Sequence, residues 1–171
     1  MNTLIISSSL SQSSKSFILC KSVEKELIKK NVRCKLIDIR KIHINPYHIN
    51  NTPGMEKLKK EIEKTDNLII GMGVHNYSIN DSLKIILDNC FEGATGKLFG
   101  IICAAGGEKS YLSTMHLTQI CMHEWRMIQL PRIIYATSGD FSNNSISSEE
   151  INKRIHVFCK EFTSIGEKLI S

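Results

Sequence analysis

The chain has 171 residues, 42% hydrophobic and 23% charged, with ten Gly and three Pro, which excludes a mainly disordered, collagenous or linker-dominated architecture. At this length roughly 68–70% of the unfolded surface is buried on folding, so neither a metal staple nor a disulfide framework is required. The formal charge of +5, from 22 Lys plus Arg against 17 Asp plus Glu, favours phosphate-bearing ligands without selecting one.

Residues 3–8 form a short apolar run that predicts a first strand. It has no charged leader before Leu4 and no clear cleavage site, so a secretory signal is not expected and a cytoplasmic location is. Four more strands are expected at 32–39, 67–74, 98–104 and 132–137, separated by helix-length segments at 14–30, 55–64, 81–90 and 111–125, with a last helix at 148–170. Lys57, Lys59, Lys60 and Lys64 interleave with Glu56, Glu61 and Glu63 at spacings that suit an ion-paired, solvated helix face. Lys21, Lys25, Lys29 and Lys30 enrich the earlier helix, but no zinc-finger or RNA-binding aromatic motif accompanies them, and no nucleic-acid partner is expected.

Leu83, Ile86, Leu87 and Cys90 recur at helical spacing, as do Leu58 and Ile62. Trp125, Met115 and Met122 are read as core residues of the fourth helix, with an oligomer surface as the alternative. In the last helix Ile151, Ile155, Phe158, Phe162, Ile165 and Leu169 form one stripe, and Ser147 with Glu150 has capping-box spacing. Near-continuous apolarity at 68–70 and 99–103 suits central parallel strands covered on both faces. The result is a three-layer α/β sandwich forming a single domain over 1–171, with residues 140–148 as a polar surface loop. The longest apolar stretches, 68–74 and 99–107, fall short of the roughly 20 residues of a membrane-spanning helix, so no membrane insertion is expected.

Cys20, Cys34, Cys90, Cys103, Cys121 and Cys159 are spaced 14, 56, 13, 18 and 38 residues apart, without a CxxC pair, and read as buried thiols. Cys121, His123 and His116 do not make a compact four-ligand set, and no metal site is expected. There is no GxSxG acyl-transfer signature, and no catalytic nucleophile is assigned.

Ligands of open parallel sheets lie beyond the carboxyl ends of the strands, where the segments 7–16, 73–84 and 104–111 can converge. The first carries Ser7, Ser8, Ser9, Ser11, Ser13, Ser14 and Ser16 between a strand and a helix, the place where backbone donors and the helix amino end favour an anion. Ser9, Ser14 and Ser16 can donate hydrogen bonds and Lys15 can add charge; a simple capped, solvated loop is the other reading. The segment lacks both the Walker glycine framework and GxGxxG, which favours a mononucleotide over a nucleoside triphosphate or dinucleotide.

The second segment, Gly73-Val74-His75-Asn76-Tyr77-Ser78-Ile79-Asn80, can grip a planar heterocycle. Backbone groups near Asn76 and Ser78 would read its polar edge, and His75 or Tyr77 would supply stacking surface. The plainer reading is an exposed turn whose Asn80 caps the next helix. Gly106 and Gly107, after Ala105, permit either close backbone approach to a ligand or φ values closed to most residues.

These residues resemble the NAD(P)H-dependent FMN reductase family of the flavodoxin-like superfamily, related to quinone, azo-dye and chromate reductases, over nearly the whole chain. Ser7-Ser8-Ser9-Leu10-Ser11, with Ser14 and Ser16, resembles the family's Ser-Gly-Ser-Leu-Arg phosphate loop; Ser9 and Ser14 match, whereas Ser8 replaces Gly, Ser11 replaces Arg and Ser16 replaces Asn. Residues 73–84 resemble Pro-x-Tyr-Asn-x-Ser-x-Pro-x-x-Leu-Lys, with Asn76, Ser78, Leu83 and Lys84 matching and with Gly73, His75 and Asn80 in place of Pro, Tyr and Pro. Gly106 and Gly107 occupy the place of the family's glycine pair, and Asp88 matches an acidic position after the Leu-Lys helix start.

The resemblance implies a flavodoxin-like fold with a five-stranded parallel sheet of order 2-1-3-4-5. It implies FMN with its phosphate on the first loop and its isoalloxazine between the second and third. NADPH or NADH would donate hydride, and a quinone-like or other small electron acceptor would be reduced. It further implies a homodimer or homotetramer. A flavodoxin-like electron carrier and a non-enzymatic interaction protein with a degenerate flavin site are the alternatives.

Overall fold

A computed structural model describes residues 1–170. Its elements, in chain order, are β1 (Asn2–Ser7), α1 (Lys15–Lys29), β2 (Arg33–Asp38), α2 (Pro53–Lys64), β3 (Asn67–His75), β4 (Ser78–Ile79), α3 (Asp81–Cys90), β5 (Leu98–Ala104), α4 (Thr114–Trp125), β6 (Ile128–Gln129), β7 (Ile134–Ala136), β8 (Phe141–Ser142), β9 (Ser145–Ile146) and α5 (Glu149–Ile170). The parallel sheet runs β2-β1-β3-β5, and β6 and β7 follow one another along the outer edge of β5. In terms of the five main strands this is the expected 2-1-3-4-5 order of a flavodoxin-like fold.

Alternation along the strands divides the apolar side chains between two cores. Leu4, Ile6, Leu68, Ile70, Phe99 and Ile101 pack with α2, α3 and α4, while Ile5, Ile69 and Ile102 pack with α1 and α5. The central strands read as unbroken apolar runs because both faces are covered, and each fully buried Leu, Ile or Phe contributes about 1.5–3 kcal/mol.

Several local expectations are corrected. The fifth strand, expected over 132–137, is two short pieces: Leu130 N–H still donates to Phe99 O at 2.8 Å, but the register then slips from Leu98 opposite Ile128 to Ile102 opposite Ile134, so the chain bulges around Pro131 on this edge strand. The fourth helix begins with 3-10 turns over Glu108–Ser113. Trp125 is buried, but Met115 and Met122 of the same helix are about half exposed. Residues 140–148 carry a hairpin, β8–β9, whose turn residues Asn143 and Asn144 both take positive φ, as two-residue hairpin turns demand.

Ser148 caps α5, its Oγ accepting from Ile151 N–H at 3.3 Å, one residue beyond the capping box expected at Ser147. The charged face of α2 pairs with other elements rather than along itself: Glu61 meets Lys35 of β2 at 2.6 Å, and Lys59 meets Glu92 at 2.7 Å. Five of the six cysteines are buried and all are free; burial pushes the Cys103 and Cys121 thiols up to about 12, so they behave as packing groups.

Gly71 of β3 sits directly over the Cys20 sulfur of α1, and a Cβ there would overlap it. Gly71→Ala is therefore expected to cost about 1–3 kcal/mol in urea unfolding, and Cys20→Ala added to it should restore part of that loss. Additive losses in the double variant would contradict this contact.

Candidate functional site

The loops after β1, β3 and β5 open at the same end of the sheet. Ser8, fully buried, follows the first strand, and its N–H donates to Gly71 O at 2.9 Å. Its Oγ lies 2.8 Å from Gly71 O and 3.0 Å from Asn80 Oδ1. Asn80, also buried, donates from Nδ2 to Ser8 O at 3.2 Å and to Ser82 Oγ at 2.8 Å, while its Oδ1 accepts from Gly73 N–H at 3.1 Å. Ser82 Oγ completes the cluster by donating to Ser8 O at 2.7 Å. Asn80 stands at the N-cap of α3 but makes no side-chain cap bond; its amide ties the first loop to the second instead.

Within the first loop, Ser9 Oγ accepts from Ser11 N–H at 3.3 Å, and Ser11 and Ser13 hydroxyls lie 3.4 Å apart in solvent. Ser14 caps α1 by accepting from Phe17 N–H at 3.1 Å, and its hydroxyl is 3.0 Å from that of Ser16, both buried. The Lys15 ammonium lies over the Phe141 ring, 5.5 Å from its centroid, on the side of the β8–β9 hairpin. The loop is therefore furnished mainly with hydroxyls and the free N–H groups of a helix start.

The second loop is a hairpin. Val74 pairs with Ile79 and His75 with Ser78, leaving Asn76 and Tyr77 as turn residues at φ 49° and 62°. Positive φ in a bulky residue such as tyrosine is strained, and the turn leaves Tyr77 63% exposed. Ser78 Oγ is 2.9 Å from His116 Nδ1 on α4, and His75 Nδ1 is 3.6 Å from Asp81 Oδ1, with His75 pointing to solvent. His116 thus braces the hairpin.

In the third loop Ala105 is buried and its N–H donates to Ala136 O at 2.9 Å. Gly106 and Gly107 are exposed; Gly107 is extended, and a Cβ on either would meet nothing within 4 Å. These glycines do not serve a left-handed turn. They leave a bare backbone floor. Tyr135 Oη donates to Gly107 O at 2.7 Å, and the Tyr111 ring stands edge-on to Tyr135 at 5.1 Å. Burial pushes the Tyr135 hydroxyl above its ordinary value, so it remains a donor at neutral pH.

A cleft of about 490 Å³ lies between Tyr77 and Gly106, Gly107, Glu108, Lys109 and Ser110. A second, of about 400 Å³, adjoins Ser78 and Ile79 and is lined by Lys84, His116, Gln119 and Ile120. A third, of about 310 Å³, lies between β2 and α2 beside Lys35, Leu36 and Leu58, and includes none of the three loops.

Sequence reasoning missed the Asn80 and Ser82 contacts to Ser8, the Tyr135 brace, and Arg40. Arg40 follows β2, and its Nη1 lies 3.4 Å from Ser11 O and 3.2 Å from Gln12 O. The rule that ligands gather at strand carboxyl ends would have drawn attention to Asp38 and Arg40, because β2 ends there.

The sequence matches the family described as NADPH-dependent FMN reductase over residues 1–142. Among curated proteins none matches significantly. Among solved structures, FerB from Paracoccus denitrificans, a flavoenzyme NAD(P)H:(acceptor) oxidoreductase, aligns with TM-score 0.80 and 19% identity, over 98% of this chain and 97% of its own. An oxidoreductase from Corynebacterium diphtheriae aligns with TM-score 0.78 and 18% identity over 98% and 97%. The apo form of an NADH:FMN oxidoreductase, EMOB, aligns with TM-score 0.76 and 16% identity over 93% and 88%. At these identities the structures show a shared fold.

Asn80→Ala would leave Ser8 O and Gly73 N–H each short of a buried partner. It is expected to lower stability in urea unfolding by about 2–3 kcal/mol. A loss below about 0.5 kcal/mol, the scale of an ordinary surface change, would show that the amide does not bind the loops together.

Proposed function

The chain belongs to the NADPH-dependent FMN reductase family, and from that premise we propose that it holds FMN across the three loops and passes reducing equivalents from NAD(P)H to a small, quinone-like acceptor. The observation that carries the reading is the cleft between Tyr77 and the side-chain-free Gly106–Gly107 backbone, linked to the serine loop through the buried Ser8–Asn80 cluster. A flat ring suits the cleft, and an anionic tail suits the helix start.

In this reading Ser9, Ser11, Ser14 and Ser16 hold the phosphate with the neighbouring backbone N–H groups. Lys15, directed at Phe141, contributes charge from a distance. Gly73, Val74, His75, Asn76, Tyr77, Ser78 and Ile79 form one wall; Ala105, Gly106 and Gly107 form the other. When bound, FMN supplies the hydride-accepting centre and releases electrons singly or in pairs. The protein supplies orientation: Tyr77 shields one side from water, and the Gly107 peptide, fixed by Tyr135, presents its following N–H as a fixed donor. No side-chain nucleophile is required, and donor and acceptor can use one open face in turn.

A homodimer is also proposed. Leu112, Met115 and Met122 expose 73%, 52% and 47% of their surfaces, and spacings of three and seven place them on one side of the 3-10 turns and α4. This stripe is suited to a second copy of the chain. No helix among the described residues is long and apolar enough to cross a membrane.

Two measurements test these proposals. Apo-protein titrated with FMN should quench its fluorescence, and anaerobic NADPH or NADH should then bleach the bound flavin. Binding without bleaching would favour an electron carrier, and absence of binding would favour an interaction protein. In light scattering, the native chain should be dimeric and Leu112→Glu/Met115→Glu monomeric; a native monomer would overturn the dimer.

A further inference from the structure

Arg40 approaches the serine loop from outside. Its Nη1 donates to Ser11 O and Gln12 O at 3.4 and 3.2 Å. Nε and Nη2 are held by Asp38, at 2.9 Å to Oδ1 and 2.7 Å to Oδ2, and the same carboxylate accepts from Arg40 N–H at 3.1 Å. The guanidinium lies over the Phe17 ring, 4.3 Å from its centroid, and Phe17 is itself tied to Ser14 through the α1 cap. One side chain therefore touches the loop and the first turn of the helix while its own orientation is fixed by a carboxylate fork.

The chain has no cis peptide bond among the described residues, and in a trans peptide the carbonyl and the next N–H point in opposite directions. Two carbonyls turned towards Arg40 thus turn the Gln12 and Ser13 N–H groups away from it. Among the described residues neither N–H has a protein acceptor. The loop's own cation, Lys15, is engaged with Phe141, and Arg40 is ion-paired with Asp38 at 2.7 Å. What Arg40 contributes is direction.

We propose that Arg40 is a positioning residue for the FMN phosphate: by gripping the outer carbonyls of Ser11 and Gln12, it presents the following N–H groups to a phosphate monoester at the start of α1. The proposal rests on the FMN reading above. It makes the anion cradle preorganised in the ligand-free protein, which reduces the ordering cost of binding.

The test is a comparison of FMN with riboflavin, which lacks the phosphate, by fluorescence quenching on the full-length apo-protein. Wild type should bind FMN more tightly. Arg40→Gln and Arg40→Lys should each weaken FMN by about tenfold, the scale of one charge-assisted hydrogen bond, while riboflavin affinity changes less than about twofold. Asp38→Asn/Arg40→Gln, which leaves no unpaired carboxylate, should behave like Arg40→Gln. Retained FMN preference in Arg40→Lys would mean that charge alone suffices and would overturn the proposal. Equal loss of FMN and riboflavin would do the same by showing a general structural role. A wild type that binds FMN no better than riboflavin would instead remove the underlying reading of the serine loop.

Discussion

The Asn80 side chain lies where water does not reach, and it meets groups from both the first and the second loop: the Ser8 carbonyl and hydroxyl, the Gly73 N–H and the Ser82 hydroxyl. A buried amide of this kind tolerates few alternative arrangements, since each polar group that loses its partner carries a desolvation cost of about 1–3 kcal/mol. The serine loop and the hairpin loop are consequently one unit, although 72 residues separate Ser8 from Asn80. The third loop joins them through sheet register, with Gly73 opposite Ala104 on the neighbouring strand.

On this fixed base the site is deliberately open. Tyr77 is held at positive φ with its ring in solvent, and Gly106 and Gly107 offer backbone with no side chain above it. The outer sides of the loops are braced by longer side chains: Arg40 on Ser11 and Gln12, His116 on Ser78, and Tyr135 on Gly107. Such an arrangement suits a ligand recognised by directed backbone donors more than by net charge, which is what the proposed phosphate site requires of a loop so poor in cations.

The alternating architecture was legible in the sequence because residues 68–70 and 99–103 are apolar on both faces and the intervening segments carry helical stripes; the strand order followed from the family resemblance. The convergence of the three loops followed from that topology. What was not legible depended on contacts between distant residues or on single backbone atoms. Nothing local distinguishes an Asn80 that caps α3 from one that turns back to Ser8, and nothing local directs Arg40 to carbonyls 28 and 29 residues away. Pro131 stands at the break in the edge strand and Asn143-Asn144 at the hairpin turn, local signals that an expected strand over 132–137 and an expected loop over 140–148 passed over. Met115 and Met122 show why helical spacing alone does not identify a core: a stripe facing solvent has the same period as one facing the sheet.

If the three loops form one preassembled cradle for FMN, amide chemical-shift mapping of the apo-protein as FMN is added should show perturbations concentrated at residues 9–16, 73–79 and 105–110, with the β2–α2 groove beside Lys35 and Leu58 unaffected. Shifts centred on that groove, or shifts in the hairpin and glycine loops without any in the serine loop, would contradict such a cradle.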